Sequence, residues 1–192
     1  MNQTSNAKNK ILLFSLACFI PFFSIANEHP TLQTLENSDK YCIRNIDLNK
    51  DNILDKVVSS KKNEGNELYF FIKEGATFRY KLQSTNFSVD GGNIIKNIHS
   101  ENQHNEILSI STYFPDKGHL TAQHFIAFKD KDWFLTRTVY ETTHWQNTPS
   151  KTYTCTIKQN IKLRHLTDGG SGWNQFKHFP KIDDNPACKI KP

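Results

Sequence analysis

The chain of 192 residues is poor in several things that would narrow its chemistry. It has no Cys-x-x-Cys pair, which removes a thioredoxin-like redox motif. It has no glycine-rich phosphate loop of the kind that opens a nucleotide-binding helix. No unit recurs every 20–50 residues or so, which excludes a full propeller or a solenoid. A formal charge of +5 comes from 24 basic and 19 acidic residues scattered along the chain. No basic stripe interleaved with aromatics forms, so nucleic acid is not an expected partner. Outside the first 26 residues there is no long apolar run, and no membrane span is expected in the remainder.

What is present starts with an export signal. Lys8 and Lys10 precede the apolar run Ile11–Ile25, which ends on Ser24-Ile25-Ala26 with small residues where a signal peptidase reads. The run is interrupted by Pro21 and falls short of the roughly 20 residues needed to cross a bilayer. Residues 1–26 therefore read as a cleaved signal peptide, and the protein is expected in the periplasm or secreted. Leu16-Ala17-Cys18 also resembles the end of a lipid-attachment box, but Ser15 replaces the large aliphatic such a box carries and the apolar run continues beyond it.

Three cysteines follow the signal: Cys42, Cys155 and Cys188. In an oxidising compartment an odd number implies one bridge and one remaining thiol, with three pairings open. Cys42–Cys155 is the expected bridge, because both lie in predicted β-framework and Cys188 lies in a polar tail.

Residues 27–40 read as a leader, 41–166 as the folded domain and 167–192 as an irregular tail. Within the domain, short runs rich in β-branched and aromatic residues alternate with turn residues. They cover Asp55–Ser60, Leu68–Ile72, Thr77–Leu82, Ile94–Ile98, Glu106–Phe114, His119–Phe128, Trp133–Tyr140, Thr152–Lys158 and Ile161–Leu166. In Glu106–Phe114, Ile107, Ser109 and Ser111 alternate with Leu108, Ile110 and Thr112, the pattern of a strand with two different faces. Helical periodicity is almost absent. The expected fold is all-β: a single antiparallel β domain, a sandwich or a partial propeller-like sheet, with one calcium loop.

That loop is Asp47-Leu48-Asn49-Lys50-Asp51-Asn52-Ile53-Leu54-Asp55. Oxygen-bearing side chains stand at positions 1, 3, 5 and 9, and the Ile53 carbonyl falls at position 7. Ca²⁺ takes roughly six to eight oxygens, and this spacing can turn them toward one centre. Position 6 requires a left-handed turn, which Asn52 accepts better than any residue except glycine. An EF-hand is disfavoured, since its twelfth position needs a bidentate Glu and holds Val58. Asp- and Asn-rich stretches also make ordinary solvated turns.

The loop resembles the calcium loops of FG-GAP and integrin-type propeller blades, Asp-x-(Asp/Asn)-x-Asp-Gly-x-x-Asp, in which the last Asp opens a strand. The likeness spans Cys42 to Ile72, one copy. It implies Ca²⁺ held by Asp47, Asn49, Asp51, the Ile53 carbonyl and Asp55. The chain is also similar to small periplasmic proteins carrying a single such loop, some of which act as immunity proteins. That likeness implies a non-enzymatic inhibitor whose partner is a cell-wall-degrading toxin or another envelope protein.

Loops expected to meet such a partner are Phe114–His119, His144–Ser150 and Asp168–Phe176, with His119, Trp145 and Trp173 as the leading contact residues. His119 and His124 lie five apart, on opposite faces of a strand, and do not suit a shared zinc. Ser171 lacks the glycine two residues on that a nucleophile elbow needs, and no catalytic residue is assigned. The alternative reading is a secreted carbohydrate-binding module or hydrolase using Trp133, Trp145 or Trp173 as a platform.

Overall fold

A computed structural model describes residues 29–89, 92–115, 120–144, 151–182 and 185–191. The first four strands are β1 (Tyr41–Ile46), β2 (Asp55–Ser60), β3 (Glu67–Glu74) and β4 (Thr77–Thr85), joined in sequence order into one antiparallel sheet. The rest form a second antiparallel meander: β5 (Ile94–Ser100), β6 (Glu106–Phe114), β7 (Leu120–Lys129), β8 (Asp132–His144), β9 (Lys151–Lys162) and β10 (Cys188–Ile190). Each hairpin pairs neighbours in the chain, so local turn chemistry accounts for the topology. Gly75 at φ 63° closes β3–β4, and Asp130 and Lys131, both at positive φ, close β7–β8.

The two sheets pack face to face as a sandwich. Val57, Leu68 and Phe70 of the four-stranded sheet meet Leu108, Ile110, Ile126, Leu135 and Ile161 of the six-stranded one. Phe70 stands edge-on to Trp133 at 5.4 Å between ring centres. The Trp133 indole N–H donates to the Leu48 carbonyl at 2.8 Å, which ties the β1–β2 loop to the opposite sheet. The all-β expectation holds, and the architecture is the sandwich.

The segment before β1 is more than a leader. It forms a short helix, α1 (Leu32–Glu36), capped by the Thr31 hydroxyl, which accepts from the Thr34 N–H at 3.2 Å. Leu35 of α1 is buried against Val58, Tyr69 and Phe71 on the outer face of the first sheet. His29 stacks on Tyr80 with ring centres 4.0 Å apart.

Three features at the C-terminal end depart from the sequence reading. Thr152–Lys158 and Ile161–Leu166, expected as two strands, are one strand, β9, followed by a 3-10 turn at Leu163–His165. The tail is partly ordered on the sheet: Phe176 packs against the core, Phe179 meets Tyr140, and Gln159 exchanges two hydrogen bonds with the backbone of Lys177. Gly170 and Gly172 serve close packing, because a Cβ on either would collide with the His165 carbonyl, whereas Gly169 supplies a positive φ of 72°.

The third departure is the disulfide. Cys155 bonds Cys188, with Cα atoms 3.9 Å apart, and Cys42 is a free thiol. The expected Cys42–Cys155 bridge is therefore corrected. β10 brings Cys188 directly opposite Cys155, whereas Cys42 lies on the other sheet, opposite Ser59.

Candidate functional site

The loop from Asp47 to Asp55 joins β1 to β2 and is held at three points. Leu48 is fully buried in the sandwich core, its carbonyl takes the Trp133 indole N–H, and Lys50 Nζ reaches the Asn105 carbonyl at 3.0 Å. Within the loop the carboxylates order the backbone. Asp47 Oδ1 accepts from the N–H groups of Asn49 (3.3 Å), Lys50 (2.7 Å) and Asp51 (3.2 Å), and Oδ2 accepts from Asn52 at 2.9 Å. Asp51 Oδ1 accepts from the Ile53 N–H at 2.8 Å, and its Oδ2 accepts from Asn49 Nδ2 at 2.8 Å. Lys50 and Asn52 adopt the left-handed conformation, φ 63° and 66°, and at Asn52 the sequence led to that expectation.

Asp55, the first residue of β2, is wholly buried. Its Oδ2 accepts from the Leu48 N–H and its Oδ1 from the Lys73 N–H, each at 2.8 Å. Burial raises its carboxyl above the ordinary 3.8; the two backbone donors pull the other way, and the charges of Asp51 and Asp47 add to the rise. Among the described residues no lysine or arginine forms an ion pair with Asp47, Asp51 or Asp55. Among the same residues no three His, Cys, Asp or Glu side chains gather as a metal-ligating group. The fit to a cation thus lies in residue type, in the backbone course and in three acids with no cationic partner. It does not extend to carboxylates already drawn onto one centre.

The opposite arrangement occurs in the six-stranded sheet. Glu106, buried, receives both Arg137 Nε (2.8 Å) and Nη2 (2.7 Å), and that guanidinium lies 3.5 Å from the centre of the Phe125 ring. Asp132 is gripped by Arg164 at 2.6 Å and Lys162 at 3.4 Å. Burial opposes its ionisation, but Arg164 and the Trp133 N–H outweigh that and hold its carboxyl below the ordinary range. His124 is buried between the sheets, stacked on Phe87 at 3.9 Å, with Nδ1 3.2 Å from Thr138 Oγ1 and Nε2 without a hydrogen-bond partner among the described residues. Burial pushes its imidazole down to about 3, so it is neutral.

A second place for a ligand lies on the solvent side of β5–β8, where the sheet cups a groove of about 500 Å³. Asn97, Ser111, Gln123 and Val139 form one row across the four strands, each opposite the next. Thr121 faces Tyr113 on one side and Glu141 on the other. Bulges at Lys96 on β5, and in the β7–β8 pairing, bend the sheet around this row. Sequence reading noted the alternation that puts Ser109 and Ser111 on one face. It did not supply their neighbours on β5, β7 and β8, which no short-range pattern encodes.

Of the expected contact residues, His119 and Trp145 lie outside the described residues, as do 116–119 and 145–150 of the expected contact loops. Trp173 is half-buried, its ring against the core and its indole N–H on the Thr167 carbonyl at 2.9 Å. Trp133 is only 5% exposed and cannot act as a surface platform. No family model matches the chain, and neither a curated protein nor a solved structure matches it.

Proposed function

We propose that the protein is an exported, non-enzymatic binding protein of inhibitor type, with Ca²⁺ bracing the first hairpin of its sandwich. The carrying observation is Asp55: a fully buried carboxylate beside two further acids, with backbone donors but no positive side chain. Burying unpaired charge is costly, and a divalent ion is the simplest compensation. Asp47, Asn49, Asp51, the Ile53 carbonyl and Asp55 would hold it, and the ion would supply charge neutralisation that locks the loop. Export is supported by the Cys155–Cys188 bridge, which fits an oxidising compartment better than the cytoplasm, and by the basic and apolar pattern of residues 8–26. Among the described residues no helix is long and apolar enough to cross a membrane.

The partner on this reading is a cell-wall-degrading toxin or another envelope protein, met by a rigid scaffold. The cation is tested by thermal melting in excess Ca²⁺ and in chelator; a higher midpoint with Ca²⁺ is expected, and identical midpoints refute the ion. The inhibitor role is tested by the rate at which peptidoglycan hydrolases clear a cell-wall suspension with the protein in molar excess. A slowed rate for at least one hydrolase is expected; unchanged rates throughout refute it.

A further inference from the structure

We infer that the groove on the outer face of β5–β8 is a binding site for a neutral oligosaccharide. This goes beyond the reading above and uses none of the cation loop.

The floor of the groove is built from neutral groups that both donate and accept hydrogen bonds: Asn97, Ser111, Thr121 and Gln123. Sugar hydroxyls are likewise both donors and acceptors, so amide and hydroxyl side chains are their natural counterparts. Ser111 and Thr121 have no side-chain hydrogen-bond partner among the described residues, which leaves their hydroxyls available. Gln123 is held in place: its Nε2 donates to Ser109 Oγ at 2.9 Å, and Ser109 in turn donates to Glu101 Oε1 at 2.7 Å. Asn97 is fixed too, since its Oδ1 accepts from the Ile98 N–H at 2.8 Å. Polar groups set in advance by their own bonds lose little entropy when a ligand arrives. Val139, in the same row, offers an apolar spot for the C–H face of a sugar ring.

Charge selects against ionic ligands. Lys96 on the β5 rim and Glu141 on β8 are of opposite sign at opposite sides, and Glu141 is already engaged by Lys191 at 2.9 Å. The row between them, Asn97, Ser111, Thr121 and Gln123, carries no formal charge; His99 also lines the β5 side, and the Glu101 carboxylate accepts from Gln123 Nε2 at 3.5 Å. Three strand spacings separate β5 from β8, roughly 14 Å at about 4.8 Å each, which is room for two or three sugar rings.

The test is titration of the ¹⁵N-labelled, disulfide-bonded protein with maltotriose, cellotriose and the N-acetylglucosamine trimer. The glucosamine trimer, the galacturonic acid trimer and trialanine serve as charged and peptide comparators. At least one neutral trimer is expected to give saturable amide shifts confined to β5–β8, below about 20 mM. Thr121→Arg, which fills the floor, and Gln123→Ala are each expected to weaken that binding about tenfold or more at an unchanged melting temperature. No saturation by any neutral trimer, shifts mapping elsewhere, tighter binding of a comparator, or full binding by Thr121→Arg would each overturn the assignment. Calcium-dependent melting is read separately, so either conclusion can fail without the other.

Discussion

Two places in this sandwich bury carboxylates, and they do it by opposite means. In the first sheet Asp55 is surrounded by backbone N–H groups and by other acids, and its carboxyl is pushed up. In the second sheet Glu106 lies under Arg137, and Asp132 under Arg164 and Lys162, so the protein carries its own countercharge. The second sheet also has the covalent tie, Cys155–Cys188. One end thus carries a covalent tie and its own countercharges, while the other holds acids that no lysine or arginine pairs among the described residues. Their responses to pH have opposite sign. Asp132, held below 3.8, contributes stability that is full above that value and lost as pH falls. Asp55, held above 3.8, contributes most when protonated and loses that contribution as pH rises through its folded value, unless a cation takes the proton's place.

The comparison breaks most readily at the second sheet. Arg137→Leu leaves Glu106 buried without its partner and is expected to cost about 3–5 kcal/mol in urea unfolding at pH 7; a loss below about 1 kcal/mol would mean the pair is not what holds that end. Reducing Cys155–Cys188, which closes a separation of 33 residues, should cost about 3.7 kcal/mol in the chain-entropy model. An unchanged unfolding midpoint under reductant would contradict that.

At the first sheet, Ca²⁺ at about 100 times its dissociation constant should add about 2.7 kcal/mol relative to chelator. Arg137→Leu should leave that increment intact if the two ends are independent.

His124 gives a pH test that belongs to neither end. Its folded value of about 3 lies below the ordinary 6.5, so its contribution is full above 6.5 and is lost as pH falls between the two. Unfolding stability should drop by about 1.4 kcal/mol per pH unit across that window. His124→Phe should flatten the slope, and an equally steep slope in the variant would assign it to other groups. The smallest effect is expected from Cys42→Ser, within about 0.5 kcal/mol and with the disulfide unchanged.

Most strands were legible because alternation is written locally, although β1, Tyr41–Ile46, was not among the runs read. Asp55–Ser60 and Glu106–Phe114 were placed at the bounds the structure has, each being a β-branched or aromatic run between turn residues. β10 was not legible: three residues after an irregular stretch carry no pattern of their own, and only pairing with β9 makes them a strand. The disulfide error follows from that omission. The backbone course of the loop was readable from Asp47 to Asp55, since short-range side-chain to backbone bonds create it. The burial of Asp55 was not, because it depends on Lys73, eighteen residues away.

Sequence alone determined the all-β class and the turn chemistry of the Asp47–Asp55 loop, since each rests on residues within a few positions of one another. Which cysteines meet, which acids receive an arginine, and which polar side chains line up as Asn97, Ser111 and Gln123 were decided by tertiary structure. Those depend on register between strands far apart in the chain, and register is set by the packing of two faces, which no local pattern carries.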